Sequence, residues 1–115
     1  MKTDMKTLNT FRALFHEGNK KWCPEGTTPL RMFVEEHFID RLFQRFTTNV
    51  EAAAVVKNTM KWVKDNYAIL QFENNFGTKR EYCIRHADGN VSVVVLFNNV
   101  VRIRTCYKPT EQQND

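Results

Sequence analysis

The segment VSVVVLF, residues 91–97, constrains the fold of this 115-residue chain more than any other feature. Successive side chains of a β-strand point to opposite faces of a sheet, and this segment is apolar on both faces. A strand of that kind is stable only where both of its faces are covered. Asp88-Gly89 before it and Asn98-Asn99 after it favour positive φ angles and tight hairpins. We therefore predict that this strand lies in the interior of an antiparallel sheet, with helices on one side and partial cover on the other.

Three other segments also have the two-residue alternation of strands: YAILQF at 67–72, REYCIRH at 80–86 and VVRIRTCY at 100–107. Together with residues 91–97 they predict a four-stranded antiparallel meander. A two-residue turn at Asn98-Asn99 would divide the last strand into two faces. The core-facing set would be Val101, Ile103, Thr105 and Tyr107, and the opposite set Arg102, Arg104 and Cys106.

The first half of the chain has helical periodicity. Apolar residues from Leu8 to Phe15 predict a helix over 8–17, with Gly18 as the residue that ends it. Residues 30–34 alternate like a strand, although Thr28-Pro29 could also begin a helix; we favour a short strand that leads into a helix over 35–46. The apolar stripe of that helix is Phe38, Leu42, Phe43 and Phe46.

A further helix is expected to open with a T-x-x-E capping box at Thr48 and Glu51 and to run to about residue 65. Helices followed by an antiparallel sheet define an α+β fold. We expect one domain over residues 1–108, followed by a flexible polar tail over 109–115.

Composition narrows the class of protein. The hydrophobic content of 42% suits a single core, and no apolar run approaches the roughly 20 residues that span a bilayer. The first residues lack the apolar stretch of a signal peptide. Three widely spaced cysteines predict reduced thiols in a cytoplasmic protein, and three scattered histidines give no metal signature. We therefore expect no metal, no cofactor and no membrane partner. The net charge of +4 is a modest attraction toward polyanions.

The helix over 35–46 carries an unusual basic column. His37, Arg41 and Arg45 follow one another at intervals of four, so they share one side of the helix, and no carboxylate stands three or four residues from either arginine. Such a column needs an anion from the rest of the fold or from a ligand. Cleavage of RNA requires a base for the 2′-hydroxyl and cations for the charge on phosphorus, which a histidine and two arginines could supply. The alternative is a solvated basic face.

The stretch H-F-I-D-R-L-F-Q-R, residues 37–45, resembles the H-x-x-D-R-x-x-Q-R stretch of the RelE/RegB-like small endoribonucleases, some of them phage-encoded. The resemblance implies helices placed before an antiparallel sheet, as in the RelE/barnase-like architecture. It also implies metal-independent RNA cleavage through a 2′,3′-cyclic phosphate, with His37 catalytic. Thr105-Cys106-Tyr107 is similar to the T-x-Y with which a late strand ends in related toxin-like domains. The resemblance implies that Arg41 and Arg45 hold the scissile phosphate. It also implies that Thr105 contacts the RNA and that Tyr107 assists His37 in catalysis.

The second catalytic histidine of the RegB type is missing. Alignment on Lys64-Asp65 places Lys61 or Trp62 near its position, and Lys61 could stabilise a phosphorane. His86, at a strand end, could replace the histidine, although such histidines usually face solvent.

Four arginines of the predicted strands could follow an RNA backbone: Arg80, Arg85, Arg102 and Arg104. The resemblance thus implies a small endoribonuclease that acts on RNA, with mRNA the expected target, in the host cytoplasm if phage-encoded. The alternative is a non-catalytic protein that binds RNA or a host factor. For either we expect a monomer or a weak dimer.

Overall fold

The computed structural model describes residues 5–45, 49–86 and 89–108. Helices come first and most of the sheet follows, so the predicted α+β class is confirmed. The elements are α1 (Met5–Trp22), β1 (Arg31–Val34), α2 (Glu36–Arg45), α3 (Asn49–Asp65), α4 (Tyr67–Asn74), β2 (Arg80–Arg85), β3 (Val91–Phe97) and β4 (Val100–Tyr107). No helix in these ranges is both long and apolar enough to cross a bilayer. The predicted cap at Thr48, Phe46 of the apolar stripe and the tail over 109–115 lie outside the described residues.

The sheet has the strand order β1-β4-β3-β2. β2, β3 and β4 form an antiparallel meander of three strands, where a meander of four strands was predicted. β1 adds to β4 in parallel, in a register that runs from Arg31 opposite Val100 to Val34 opposite Ile103. The sheet is therefore mostly antiparallel, with one parallel pair, and the prediction of a strand over 30–34 is confirmed.

The segment YAILQF, predicted as a strand, is instead most of helix α4. Its buried residues are Tyr67 and Leu70, spaced three apart as on a helix face. The Tyr67 hydroxyl accepts a hydrogen bond of 2.9 Å from the Leu30 backbone N–H and donates to the Asn19 side-chain carbonyl. The Asn19 side-chain amide in turn donates to the Leu30 carbonyl at 2.5 Å. This buried polar cluster joins α1, the start of β1 and α4, and such tertiary contacts override a short alternating pattern.

Helix α1 continues past the predicted end at residue 17 and ends at Trp22. Gly18, which was predicted to end the helix, is an interior residue of it. Gly18 is buried, and the ring of Trp22, one turn later, lies against it. A Cβ on residue 18 would fall 2.3 Å from Trp22 Cζ2. A larger residue would force the Trp22 ring to move, so the glycine is explained by the close approach of a side chain and not by a positive φ angle.

The core lies between the helices and one face of the sheet. Phe38 and Leu42 of α2 are fully buried there, as predicted, together with Ile39, whereas Phe43 is half-buried. β3 is buried along residues 91–96 and lies in the interior of the sheet, which confirms the prediction made from its composition. Val94 and Leu96 face the helices, while Val93 and Val95 lie on the opposite face, which is called here the open face.

A β-bulge changes the second half of β4. Val94 is opposite Ile103, but its neighbour Val93 is opposite Thr105, so Arg104 is the extra residue. An extra residue moves every later side chain to the other face. Cys106 consequently faces the helices, with Sγ 3.9 Å from the Phe38 carbonyl.

The prediction that Thr105 and Tyr107 share the core-facing side with Val101 and Ile103 is therefore wrong. Thr105 pairs with Val93 and Tyr107 with Val91, on the open side. The tight turn was expected correctly: Asn98 and Asn99 both have positive φ angles, 54° and 66°. The error arose farther along the strand, at the bulge.

Candidate nucleic-acid interface

The basic column is exposed at its first residue and half-buried at the next two. Arg41 Nε donates to His37 Nε2 at 3.3 Å, and Arg41 Nη1 donates to Gln44 Oε1 at 2.9 Å. Because a guanidinium has no acceptor, His37 Nε2 must be the acceptor, and the neutral ring then carries its proton on Nδ1. Within the described parts of the chain, no carboxylate contacts Arg41. Arg41 thus remains a place where an anion could bind.

Lys61 lies on α3 and is engaged by an acid of its own helix. Its Nζ is 2.8 Å from the Asp65 carboxylate, one turn away, and both side chains are at least half exposed. The two residues border a small groove of about 180 Å³ beside Ile84 and His86, at the end of β2. Helix α2, which carries His37, packs on β4 instead.

Tyr107 lies on the open face, next to Cys83 of β2. Burial, followed by the neighbouring Cys83 thiol, raises the pKa of the Tyr107 hydroxyl, so the hydroxyl stays protonated at neutral pH. The bulge thus places Tyr107 on the other side of the sheet from α2. Among the described residues, no contact joins any two of His37, Lys61 and Tyr107. The structure does not assemble the three predicted catalytic residues into one site.

The four strand arginines divide between the two faces. Arg80 is opposite Leu96, on the helix side, where its Nε lies 2.9 Å from the Glu73 carboxylate and its guanidinium lies 5.6 Å from the Phe76 ring centroid. Arg80 therefore lies on the other side of the sheet from the three remaining arginines and is not part of one surface with them. Arg85, Arg102 and Arg104 lie on the open side of the sheet.

The most developed cationic feature of the open face surrounds Phe33 of β1. Phe33 is 39% exposed and is directly opposite Arg102 of β4. The guanidinium carbons of Arg12 and Arg102 lie over its ring, at 4.9 and 5.1 Å from the ring centroid. Arg12 reaches this position from α1, where its Nε also donates to the Val34 carbonyl at 3.0 Å. An exposed ring with two guanidinium groups over it is a surface on which a flat ligand can stack.

A groove of about 350 Å³ continues from this cluster across the open face. Its lining residues come from β3, from β4 and from the loops that precede α2 and β2: Glu35, Lys79, Val95, Phe97, Arg102 and Arg104. Two acids approach two of these cations loosely, Glu35 with Arg102 at 3.6 Å and Glu81 with Arg104 at 3.7 Å. All four side chains are partly exposed, and ion pairs of that kind contribute little. A phosphate could therefore displace them at small cost.

Sequence reasoning missed Arg12, Phe33, Lys79 and Phe97. Arg12 looked like an ordinary polar position of a helix, and its role depends on α1 packing beside β1. The alternation of residues 30–34 did contain a signal, since it placed Phe33 on the same face as Arg31 and away from the core.

His86 does not face solvent; it is 8% exposed and belongs to a buried polar chain. Its Nε2 lies 2.9 Å from Ser92 Oγ, which lies 2.8 Å from Thr59 Oγ1. Thr59 has one hydroxyl proton and donates it to the Val55 carbonyl at 2.7 Å, so it must accept from Ser92. Ser92 then accepts from His86 Nε2–H. This chain ties α3 to the sheet, and Ser92 is fully buried, which excludes it as an accessible nucleophile.

The described residues contain no group of three or more histidine, cysteine or carboxylate side chains placed to hold a metal ion. In comparisons with known proteins, no family model, no curated protein and no solved structure matches the chain.

Proposed function

We propose that this protein binds single-stranded RNA through the open face of its sheet. The observation that carries the proposal is the stacked cluster of Arg12, Phe33 and Arg102, exposed on that face and bordered by the cationic groove. Cleavage of RNA at the basic column of α2 is a second candidate function.

The chemistry of the open face fits unpaired nucleotides better than a duplex. Unstacked bases stack on aromatic rings and on guanidinium planes, whereas the bases of an A-form duplex are hidden within its stack. Arg102, 47% exposed, and Phe97, 49% exposed, offer such planes. Arg104 and the exposed Lys79 lie beside them and can neutralise phosphates. A ligand with flat bases joined by phosphates would satisfy both kinds of group.

Anisotropy titrations of a fluorescent single-stranded RNA provide the test. Phe33→Ala and Arg102→Ala should each weaken binding about tenfold, since stacking contributes about 1–3 kcal/mol per base. Arg104→Ala should also lower the slope of log K against log salt by about one unit for each phosphate that the variant no longer neutralises. Lys20→Ala, an exposed cation of α1, is the matched control for charge and should bind like the wild type apart from a small general effect. Wild-type affinity in Phe33→Ala and Arg102→Ala would refute the proposed face.

Cleavage is favoured by one observation, the contact of exposed His37 with Arg41. The one basic nitrogen of the neutral ring is Nε2, which accepts from Arg41, so it can take a proton from a 2′-hydroxyl only when the Arg41 guanidinium turns from the ring to the phosphorane that it would stabilise. The proton donor for the leaving oxygen is the weak point, because neither Lys61 nor Tyr107 contacts His37. We therefore rank binding above cleavage.

The two candidates are separated by the product. Purified protein is incubated with a panel of RNAs, and 2′,3′-cyclic phosphate ends are measured for the wild type and for His37→Ala. If His37 is the base, its removal should lower the rate about 10²–10⁴-fold. Equal rates would remove His37 from the mechanism, and binding without cleavage would leave the binding function alone.

A further inference from the structure

The two edges of the sheet differ in how they are protected. At the β1 edge, the N–H groups of Arg31 and Glu35 donate toward β4, so the Val34 carbonyl points outward. That carbonyl is capped by Arg12 Nε. At the other edge, no strand of the described residues pairs with the outer side of β2. An exposed edge strand is a template for pairing with another strand.

The outward groups of β2 can be identified. The His86 N–H donates to the Asn90 carbonyl at 2.8 Å, so even-numbered residues of this strand direct their backbone groups toward β3. The backbone N–H and C=O groups of Glu81, Cys83 and Arg85 therefore point outward. The side chains of these three residues are all exposed and lie on the open face.

We propose that β2 pairs antiparallel with β2 of a second copy of this chain, with Cys83 opposite Cys83. Glu81 of each copy then lies opposite Arg85 of the other, so two opposite-charge pairs form across the two-fold axis. Cross-strand pairs of opposite charge stabilise a sheet, and like pairs destabilise it. The charges of this edge are therefore complementary to those of the same edge in a second copy of the chain.

Alternative registers are less favourable. A two-fold axis perpendicular to the sheet keeps the open faces of both copies on the same side. Odd-numbered residues of one β2 must then lie opposite odd-numbered residues of the other, so the pairing is centred on one residue that lies opposite its own copy. Centring the pair on residue 81 places Glu81 against Glu81. Centring it on residue 82 places Lys79 against Arg85, and centring it on residue 84 places Arg85 against Cys83 while shortening the overlap. The Cys83 register alone pairs the two charges.

In the Cys83 register the outward backbone groups all meet partners. The opposed residues 81 and 85, 83 and 83, and 85 and 81 form hydrogen-bonded pairs, which gives roughly six backbone hydrogen bonds. Both copies would contribute their four strands to one continuous sheet, with both open faces on the same side. The pairing depends only on β2, so it can hold or fail independently of RNA binding.

Sedimentation equilibrium of the RNA-free protein over a wide concentration range tests the pairing. The wild type should form a dimer, and Glu81→Arg or Arg85→Glu alone should weaken it at least about tenfold, because each creates like pairs. The double variant Glu81→Arg/Arg85→Glu restores opposite charges across the axis and should recover most of the dimer, since the Arg104 contact that it also loses is a loose, exposed one of 3.7 Å. Lys20→Glu, on α1 beside the other edge of the sheet, is the control for net charge and should leave the dimer unchanged.

A short bismaleimide tests the register, since it should link two copies of the wild type and not of Cys83→Ser. Far-UV circular dichroism of each single variant shows whether it is folded, so that loss of the dimer is not confused with unfolding. A wild type that stays monomeric would overturn the proposal, as would a dimer that resists both single reversals, a double variant that stays monomeric, or a dimer linked equally well without Cys83.

Discussion

Gly18 in α1 offers the sharpest test of how this chain packs, because two opposing effects meet there. In an exposed helix interior, glycine to alanine stabilises by about 1 kcal/mol. At Gly18 the new Cβ would lie 2.3, 2.6 and 2.8 Å from three ring atoms of Trp22, so the indole must move. Overpacking of this kind costs about 1–3 kcal/mol. We expect Gly18→Ala to lower the free energy of unfolding by about 1 kcal/mol net.

The effect should reverse when the ring is removed. In a Trp22→Ala background nothing opposes the Cβ, and Gly18→Ala should stabilise by about 1 kcal/mol, which gives a coupling energy of about 2 kcal/mol. Urea unfolding followed by far-UV circular dichroism measures all four proteins. Ala13→Gly, at an exposed position of the same helix, calibrates the propensity effect. A stabilising Gly18→Ala in the wild type would show that the ring does not occupy this position.

Other variants test the core, the buried polar groups and the pH dependence. Leu42→Ala, at a fully buried site, should cost about 2–5 kcal/mol in urea unfolding, and an unchanged midpoint would place Leu42 outside the core. Thr59→Val should cost about 1–3 kcal/mol in the same assay, because the Ser92 hydroxyl loses its acceptor. Tyr67→Phe should cost a similar amount by leaving the Leu30 N–H without its partner. Because burial raises the pKa of Tyr67, its stabilising effect is present below about pH 10 and is lost as pH rises through the folded value, so the wild type should lose more stability than Tyr67→Phe in alkaline titrations.

The parts of the fold that the sequence predicted correctly are those that local chemistry determines. Residues 91–97 are apolar on both faces, and only the interior of a sheet covers both. The turn at Asn98-Asn99 follows from the tolerance of asparagine for positive φ. The helix over 67–74 was not predictable in the same way, because a six-residue apolar alternation fits strand and helix alike. The hydrogen bonds that Tyr67 makes with Asn19 and Leu30, far earlier in the chain, decided that this segment is a helix.

The residues of the candidate site also differ in whether local sequence could predict them. Periodicity alone placed His37, Arg41 and Arg45 on one side of a helix, since that needs only the helix itself. It could not find the cluster around Phe33, because Arg12 and Arg102 reach the ring from α1 and β4. Neighbours that meet through tertiary structure leave no pattern of spacing in the sequence.

The bulge at Arg104 links the fold to the proposed function. With regular alternation, Thr105 and Tyr107 would face α2, and a cleft could open there beside His37. With the extra residue, the strand keeps Arg104 and Thr105 together on the open side and turns Cys106 into the core. The same irregularity that separates Tyr107 from His37 therefore adds two polar side chains, Thr105 and Tyr107, to the face that carries Arg102 and Arg104. Bulges commonly redirect side chains next to functional sites. The register of β4 thus removes Tyr107 from the acid–base site predicted beside His37, and it leaves the arginines of the proposed binding surface on the open face.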